Sequence, residues 1–405
     1  MESGSPPGPD MLIRSGTAAF RNTILAMFCA GFATFALLYY VQPLLPVFSA
    51  DFGLGAAQSS LALSLTTGLM APSMLVASSV SEIVGRKPMM VASVLASSLL
   101  TLLTSFAPNW PALLALRAVT GIAIACLPAV AMAYVAEEIA PASIGLAMGL
   151  YIGGSALGGM AARLAAGILA ELGSWRLAMA GLGAMGLVAG LIFWRSLPPS
   201  RHFARRALSL SEHIGGFAAH LREPGLRLLV AEGFLMMGSF VTVYNYIGYR
   251  LLAPPYAMSQ ASVGLIFSVY LVGIVSSPFS GAVASRLGLR NVFWVMIVVM
   301  GAGVALTLAA SVGLVIAGLA LMTFGFFGAH SIASSWVGRR ARTAKAQAAS
   351  LYLFLYYMGS SVLGSIGGIF WQREGWNGVT ALVGVLLSLA FLISLRLARL
   401  QPLAS

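Results

Sequence analysis

The residues able to do chemistry in this chain are few, and most of them stand inside long apolar runs. Arg117 sits about two turns into one such run, in LRAVTGIAIA. A guanidinium inside lipid costs about 2.5–3.5 kcal/mol on insertion scales, so it must face a water-filled cavity or a partner. It is either a coupling group or a scaffold arginine tied to backbone carbonyls. Arg163 is a second case, one turn from both Gly159 and Gly167, with the option of snorkelling outward along its stem. His330, in GFFGAHSIASS, is the one deep side chain whose ordinary pKa lies near neutrality, which suits it to carry a proton. A lone histidine on an apolar helix also serves as a packing residue. Glu232 lies about one turn inside its run and is either interfacial or a second proton site. These four are the coupling candidates, and the chemistry they imply is proton movement. No phosphate loop, metal-ligand spacing or nucleophile elbow accompanies them, so neither a metal, a cofactor nor ATP is expected.

The elements that must hold these groups follow from composition. The 405 residues are 59% hydrophobic and 8% charged, with a mean hydropathy of +0.92. A soluble domain is nearer a quarter charged, so this chain belongs in lipid. Apolar runs long enough to cross a bilayer as helices number twelve: 22–48, 58–81, 89–107, 110–136, 142–170 and 175–197, then 227–252, 258–284, 290–310, 313–336, 345–371 and 376–399. Residues 1–20, polar and rich in Pro and Gly, read as a disordered tail. The segment 198–226 reads as a basic linker with a short surface helix near Leu210–Leu221. Cys29 and Cys126 fall inside apolar runs and read as packing residues.

Charge placement orients the spans. The net charge is +12, yet the bases follow topology and not a nucleic-acid surface. Eighteen of the 23 Lys and Arg fall on the side holding both termini and the links after even-numbered spans, against three on the other side. The positive-inside rule therefore makes both termini cytoplasmic. The halves also repeat: LYYVQ (Leu38–Gln42) returns as VYNYI (Val243–Ile247), and YIGGSALGG (Tyr151–Gly159) as YMGSSVLGS (Tyr357–Ser365), at offsets of 205 and 206. The basic loops SSVSEIVGRKP (Ser78–Pro88) and GAVASRLGLR (Gly281–Arg290) repeat at 203. A duplicated six-span unit leaves such a pattern. GLGAMG (Gly181–Gly186) has the dinucleotide spacing but lies inside a span with no strand before it. There, as at Gly149 and Gly153, small residues are expected to let helices approach closely.

Twelve spans as six plus six, a basic central linker and the first basic loop resemble the major facilitator superfamily over nearly the whole chain. The family writes that loop G-x-L-A-D-R-x-G-R-K; here Gly85, Arg86 and Lys87 are kept, Glu82 replaces the acid, and Ser78 and Ile83 depart. The second copy keeps Gly281, Ala284, Arg286, Gly288 and Arg290, with Ser285 at the acidic place. Arg117 and Gly121 match the family's span-4 signature. GLYIGGSALGG fits the antiporter signature of span 5 loosely, with Gly154 for the proline and Leu157 for a glycine. The stretches YVQPLLPVFSADFG, EEIAP and NYIGYRLLAPP are similar to those of bacterial inner-membrane efflux permeases of the YnfM type, grouped with drug/proton antiporters.

The resemblance implies an all-α membrane protein of two six-helix pseudo-repeats, 21–197 and 227–400, around a central cavity. That cavity would be lined by Tyr39, Gln42, Tyr134, Tyr244, Asn245 and Tyr356, with Tyr352 and Tyr357 nearby. Tyr39 and Tyr244, being repeat-equivalent, are expected to face one another. Tyr40 and Tyr246 suit an interfacial aromatic belt. A conformational latch would comprise Glu82, Gly85, Arg86, Lys87, Glu137, Glu138, Arg286 and Arg290. In it Glu82 would approach the helix beginning near Lys345, and Glu137 and Glu138 would pair with Arg86 or Lys87. The expected function is proton-coupled efflux of small organic molecules across a bacterial inner membrane by a monomer embedded in the bilayer. A proton-independent uniporter or importer is the alternative, and an integral-membrane enzyme is the remote one, since no convergent catalytic set is present.

Overall fold

The computed structural model describes residues 12–203, 217, 220–341 and 345–400. The described residues form helices in this order. The first half contains α1 (Ala18–Tyr39), α2 (Leu45–Phe52), α3 (Ala56–Val84), α4 (Arg86–Thr104), α5 (Trp110–Glu138), α6 (Pro141–Leu172) and α7 (Trp175–Ser196). The second contains α8 (Pro224–Leu252), α9 (Gln260–Ile266), α10 (Val272–Leu287), α11 (Leu289–Leu306), α12 (Val312–Arg340) and α13 (Lys345–Arg399). Short 3₁₀ turns, Gln42–Leu44 and Phe267–Leu271, join α1 to α2 and α9 to α10.

Helix starts follow local sequence. Asn109 accepts the Ala112 N–H at 3.0 Å ahead of Trp110-Pro111, and Glu223 caps α8 ahead of Pro224. Both place a polar acceptor at the cap and proline where its missing N–H costs nothing. Eleven helical stretches are long and apolar enough to cross a bilayer. The count is one short of twelve because α13 runs 55 residues across a break at Gly375 (φ 59°, ψ −139°). A straight helix of that length would be about 80 Å long against roughly 30 Å of hydrocarbon. The break falls between the two expected spans, and Gly378 comes back against the Phe370 carbonyl.

Two expectations about the ends and the linker change. Residues 12–20 are not a free tail. Ile13 bridges Ile139, with its N–H donating to Glu138 O at 2.9 Å and its carbonyl accepting from Ala140 at 3.0 Å. Thr17 caps α1 by accepting from Phe20 N–H at 3.1 Å. Residues 1–11 and most of the surface helix expected at 210–221 lie outside the described residues.

Packing rests on close helix approach, and the glycines that permit it differ from those expected. A Cβ at Gly158 would lie 2.1 Å from Phe32 O, and one at Gly154 2.4 Å from Phe28 O, so α6 lies directly on α1. A Cβ at Gly149 or Gly153 would meet nothing within 4 Å, so neither is needed for close helix approach. A Cβ at Gly183, inside GLGAMG, would lie 2.6 Å from the Leu102 backbone nitrogen of α4, so this glycine lets the helices approach as its small size suggested. Large apolar side chains such as Leu172, Phe106, Val275 and Val76 are exposed outside the bundle, which in lipid is the favourable arrangement. The two loop glycines share one backbone shape, Gly85 at φ 103°, ψ 156° and Gly288 at φ 91°, ψ 138°. That region is open only to glycine, so the internal repeat is carried in the backbone as well as the sequence.

Candidate functional site

Hydrogen bonds between described residues of the two halves lie on the side opposite the basic loops and near mid-span. There Ser49 Oγ meets Tyr249 OH at 2.6 Å, Tyr249 OH donates to Leu45 O at 2.9 Å, and Gln260 Nε2 donates to Pro43 O. Ala261 N–H donates to Glu171 at 2.7 Å, and Ser361 Oγ to Ser64 O at 2.7 Å. Deeper, Gln42 Nε2 donates to Asn245 Oδ1 at 3.0 Å. The bond joins the segment after α1 to α8, the segments that carry the LYYVQ and VYNYI repeats.

Beneath this contact sits Arg163, weaker than Arg117 on sequence grounds but central in space. Its side chain is 1% exposed. Nε donates to Gln42 Oε1 at 2.8 Å, Nη1 to Gly159 O at 2.6 Å, and Nη2 to Tyr270 OH at 3.1 Å. The guanidinium carbon lies 4.7 Å from the Tyr39 ring centroid, 4.2 Å from Tyr270 and 5.5 Å from Phe267. Such cation–π contacts are worth up to about 2 kcal/mol each when desolvated. Arg163 does not snorkel; both halves enclose it.

An aromatic cluster continues toward the basic side. Phe240 stacks on Phe326 at 3.8 Å, and Tyr244 packs on Tyr270 at 4.7 Å while its hydroxyl meets Thr323 Oγ1 at 2.6 Å. Tyr39 and Tyr244 are connected through Arg163 and Tyr270, Tyr39 against the guanidinium at 4.7 Å and Tyr244 against Tyr270 at 4.7 Å. His330 Nδ1 lies 3.0 Å from Tyr352 OH, and its ring is 4.7 Å from Tyr356. Tyr352 in turn packs over Gly233, beside Glu232, and lies within electrostatic range of that carboxyl. Glu232 is fully buried, more than two turns from the start of α8, and neither carboxyl oxygen has a hydrogen-bond partner. It is thus not interfacial. Tyr270 escaped sequence reasoning, although a single hydroxyl-tipped aromatic in span 8 was the available signal.

Arg117 is bonded to backbone carbonyls. Nε donates to Ala62 O at 2.9 Å, Nη1 to Leu37 O at 3.0 Å and Nη2 to Leu38 O at 3.0 Å, all without exposure to solvent. It ties α5 to the end of α1 and to α3. Tyr40 lies against its guanidinium at 5.1 Å, and Tyr246 OH donates to Gly364 O at 2.7 Å. Both rings are buried, so neither belongs to a lipid-facing belt. Tyr134 is not in the central cluster either; its hydroxyl donates to Pro198 O at 3.0 Å near the basic end of α5.

At the basic end, Arg86 is clamped inside the first half. It donates to Glu82 at 2.8 Å, to Glu137 at 2.8 and 3.2 Å, and to Ser81 Oγ at 2.5 Å. Lys87 donates to Leu197 O. Glu138 pairs with neither base; it accepts from His202 N–H at 2.8 Å and meets His202 Nδ1 at 3.0 Å. Glu82 pairs with Arg86 four residues on and not with the start of α13. Arg286 is exposed and Arg290 half-buried, and neither makes an ion pair among the described residues. The second half has its own clamp, Arg340 to Glu223 at 2.5 Å. Burial pushes the Glu223 carboxyl up, but Arg340 and the N–H groups of Leu226 and Gly225 outweigh that and hold it below its ordinary 4.5. A cleft of about 700 Å³ lined by Arg86, Lys87, Trp194, Pro199 and Phe203 lies within the first half, apart from the aromatic cluster. No group of three potential metal-ligating side chains occurs among the described residues.

A family profile described as Major Facilitator Superfamily matches residues 24–257. The chain is 49% identical over 387 residues, covering 96% of both proteins, to the uncharacterized MFS-type transporter YybF of Bacillus subtilis. It is 47% identical over 391 residues, 96% of this chain and 94% of the other, to the inner membrane transport protein YnfM of Escherichia coli. Among solved structures it is similar to a bacterial homologue of the human lysosomal transporter Spinster in an inward-facing, occupied conformation. That match has a TM-score of 0.79 and 16% identity, covering 95% of this chain and 98% of that one. The peptide transporter POT in complex with sulfate matches with a TM-score of 0.77 and 13% identity over 96% of each chain. Identities this low show the fold alone.

Proposed function

Because the chain belongs to the Major Facilitator Superfamily, a family of transporters and not of enzymes, we propose that this multi-pass secondary transporter is a proton-coupled exporter working by alternating access. It resides as a monomer in a bacterial inner membrane, with both termini cytoplasmic and 198–226 linking halves 21–197 and 227–400. The observation that carries the reading is the one-sided distribution of contacts between the halves. They are joined through Gln42–Asn245, Ser49–Tyr249 and Gln260–Pro43, while ion pairs at the basic end stay within each half. This is the inward-facing arrangement of two bodies that rock about a central site.

Glu232 carries the coupling proton. A buried carboxyl without any hydrogen-bond partner is tolerated only in its neutral form, so the proton must be bound here and leave when rocking brings water or a partner. Tyr352, from α13, stands next to it, and His330, from α12, lies on the Tyr352 hydroxyl; together they form the path by which that proton is passed. Arg117 has no part in the transfer.

The test uses the whole protein in liposomes, with a ligand chosen by thermal shift from a panel of drugs, sugars and amino acids. Adding ligand discharges a preset pH gradient in the wild type. Glu232→Gln keeps ligand-for-ligand exchange and loses the discharge. A wild-type protein that exchanges ligand without moving protons is a uniporter, and the coupling reading then falls.

A further inference from the structure

We propose that the substrates of this transporter are small organic anions, whose negative end is received by Arg163 and the tyrosine hydroxyls around it. The proposal deepens the transporter reading above and rests on it.

Three observations carry it. First, Arg163 is a buried charge with no opposite charge: its acceptors are an amide oxygen, a backbone carbonyl and a phenol, and no carboxylate pairs with it among the described residues. A guanidinium offers five N–H donors and accepts nothing, so three neutral acceptors leave both donors and charge uncompensated. Second, the surroundings add hydroxyl groups that can donate, and no carboxylate. The Tyr39 hydroxyl lies within electrostatic range of Tyr357, Tyr270 and Arg163, and that of Tyr356 within range of Tyr39 and Tyr357. Tyr39, Tyr356 and Tyr357 are not fully sealed, keeping 6%, 9% and 5% exposure. Third, the Asn245 Nδ2 donor and the Tyr151 hydroxyl are buried without any partner.

An unneutralised cation with an unpartnered amide donor close by selects its ligand by elimination. A cation is repelled. A neutral polyol can fill the hydrogen bonds but leaves the charge. An anion does both, and the surrounding rings suit an apolar body attached to it. The position also links binding to movement. Arg163 and Gln42 belong to the first half and hold Tyr270 and Asn245 of the second. A carboxylate that takes over the guanidinium displaces those neutral acceptors and weakens the closed contact, so the ligand favours opening toward the far side.

The test compares charge at constant shape. Benzoate and 4-hydroxybenzoate are set against benzamide, 4-hydroxybenzamide and benzylamine, with binding to the full-length protein in detergent measured by titration calorimetry. The acids are expected to bind about tenfold or more tightly than their amides, and the amine not at all. Arg163→Gln lowers acid affinity about tenfold and leaves amide affinity unchanged, while Arg163→Lys restores part of it. Should Arg163→Gln not fold, Tyr39→Phe and Tyr357→Phe each weaken the acids by about threefold and spare the amides. Amides binding as tightly as acids, neither acid binding, or an Arg163→Gln protein that folds and binds acids like wild type overturns the proposal. Counterflow in liposomes separates the two readings. Exchange of the amide or amine but not the acids sinks the anion assignment and leaves the transporter standing.

Discussion

A single methyl group placed at two positions of one helix makes the sharpest test of how the site is held. At Gly158 a new Cβ would stand 2.1 Å from Phe32 O and 2.6 Å from Phe32 Cα; at Gly149 it would meet nothing within 4 Å. A carbon and a carbonyl oxygen need roughly 3.2 Å, and the atoms in the way are backbone, which cannot swing aside as a side chain can. Gly158→Ala therefore pushes α6 about 1 Å from α1, an overpacking cost of about 1–3 kcal/mol. Five residues along α6 is Arg163, whose 2.8 Å bond to Gln42 would stretch beyond hydrogen-bonding length. Gly149→Ala costs nothing and gains up to about 1 kcal/mol of helix propensity. Unfolding of the purified protein in mixed micelles, read by tryptophan fluorescence, gives both numbers, and ligand exchange in liposomes gives the functional effect. Stability and exchange lost in Gly158→Ala and retained in Gly149→Ala are expected. Equal behaviour of the two variants would refute the assignment of the α1–α6 contact.

Further predictions concern Arg117 and the Arg340–Glu223 pair. Arg117→Lys has one nitrogen to serve carbonyls on two other helices, so it loses about two bonds of roughly 0.6 kcal/mol each. Stability in mixed micelles falls by about 1 kcal/mol while exchange per folded molecule is kept, and the opposite pattern would return Arg117 to a transport role. Glu223 is held below its ordinary 4.5, so its contribution to stability is complete above that pH and is lost as the pH falls through the lowered value. Glu223→Gln should be less stable than wild type at pH 6–7 and converge with it in acid, which thermal unfolding across pH will check.

Much of the architecture was legible because lipid imposes strong rules. Apolar run length located the spans, and the break between the last two falls where the runs separate. The twelfth stretch merged with the eleventh only because the chain between them turns at Gly375 with almost no loop. Residue identity could not decide which helix face a glycine or tyrosine occupies. Gly149 and Gly158 both fall in the same glycine-rich motif, yet one contacts nothing and the other touches Phe32. Tyr40 and Tyr39 are neighbours in sequence, but one covers Arg117 and the other Arg163. The two arginines were ranked by motif, and the motif marks fold as readily as function. What separates them is the nature of their partners: carbonyls of two packed helices for Arg117, and groups from both halves for Arg163.

The distribution of charge bears on why such a protein can move at all. The sequence led us to expect a Glu82 latch across the halves, and the structure keeps Glu82 on Arg86 within one half. Arg86 is itself buried, bonded to Glu82, Glu137 and Ser81, and breaking such a pair costs about 3–5 kcal/mol. If it had to break in every cycle, rocking would carry that cost at each turn. Instead the ion pairs Arg86–Glu137 and Arg340–Glu223 tie α4 to α5 and α8 to α12, so neither pair has to break for one half to move against the other. Most bonds between the halves are between uncharged groups, such as Gln42–Asn245 and Ser361–Ser64. Bonds of this kind average about 0.6 kcal/mol in a membrane protein. A handful of them amounts to the few kcal/mol within which two conformations can interconvert and a ligand can choose between them.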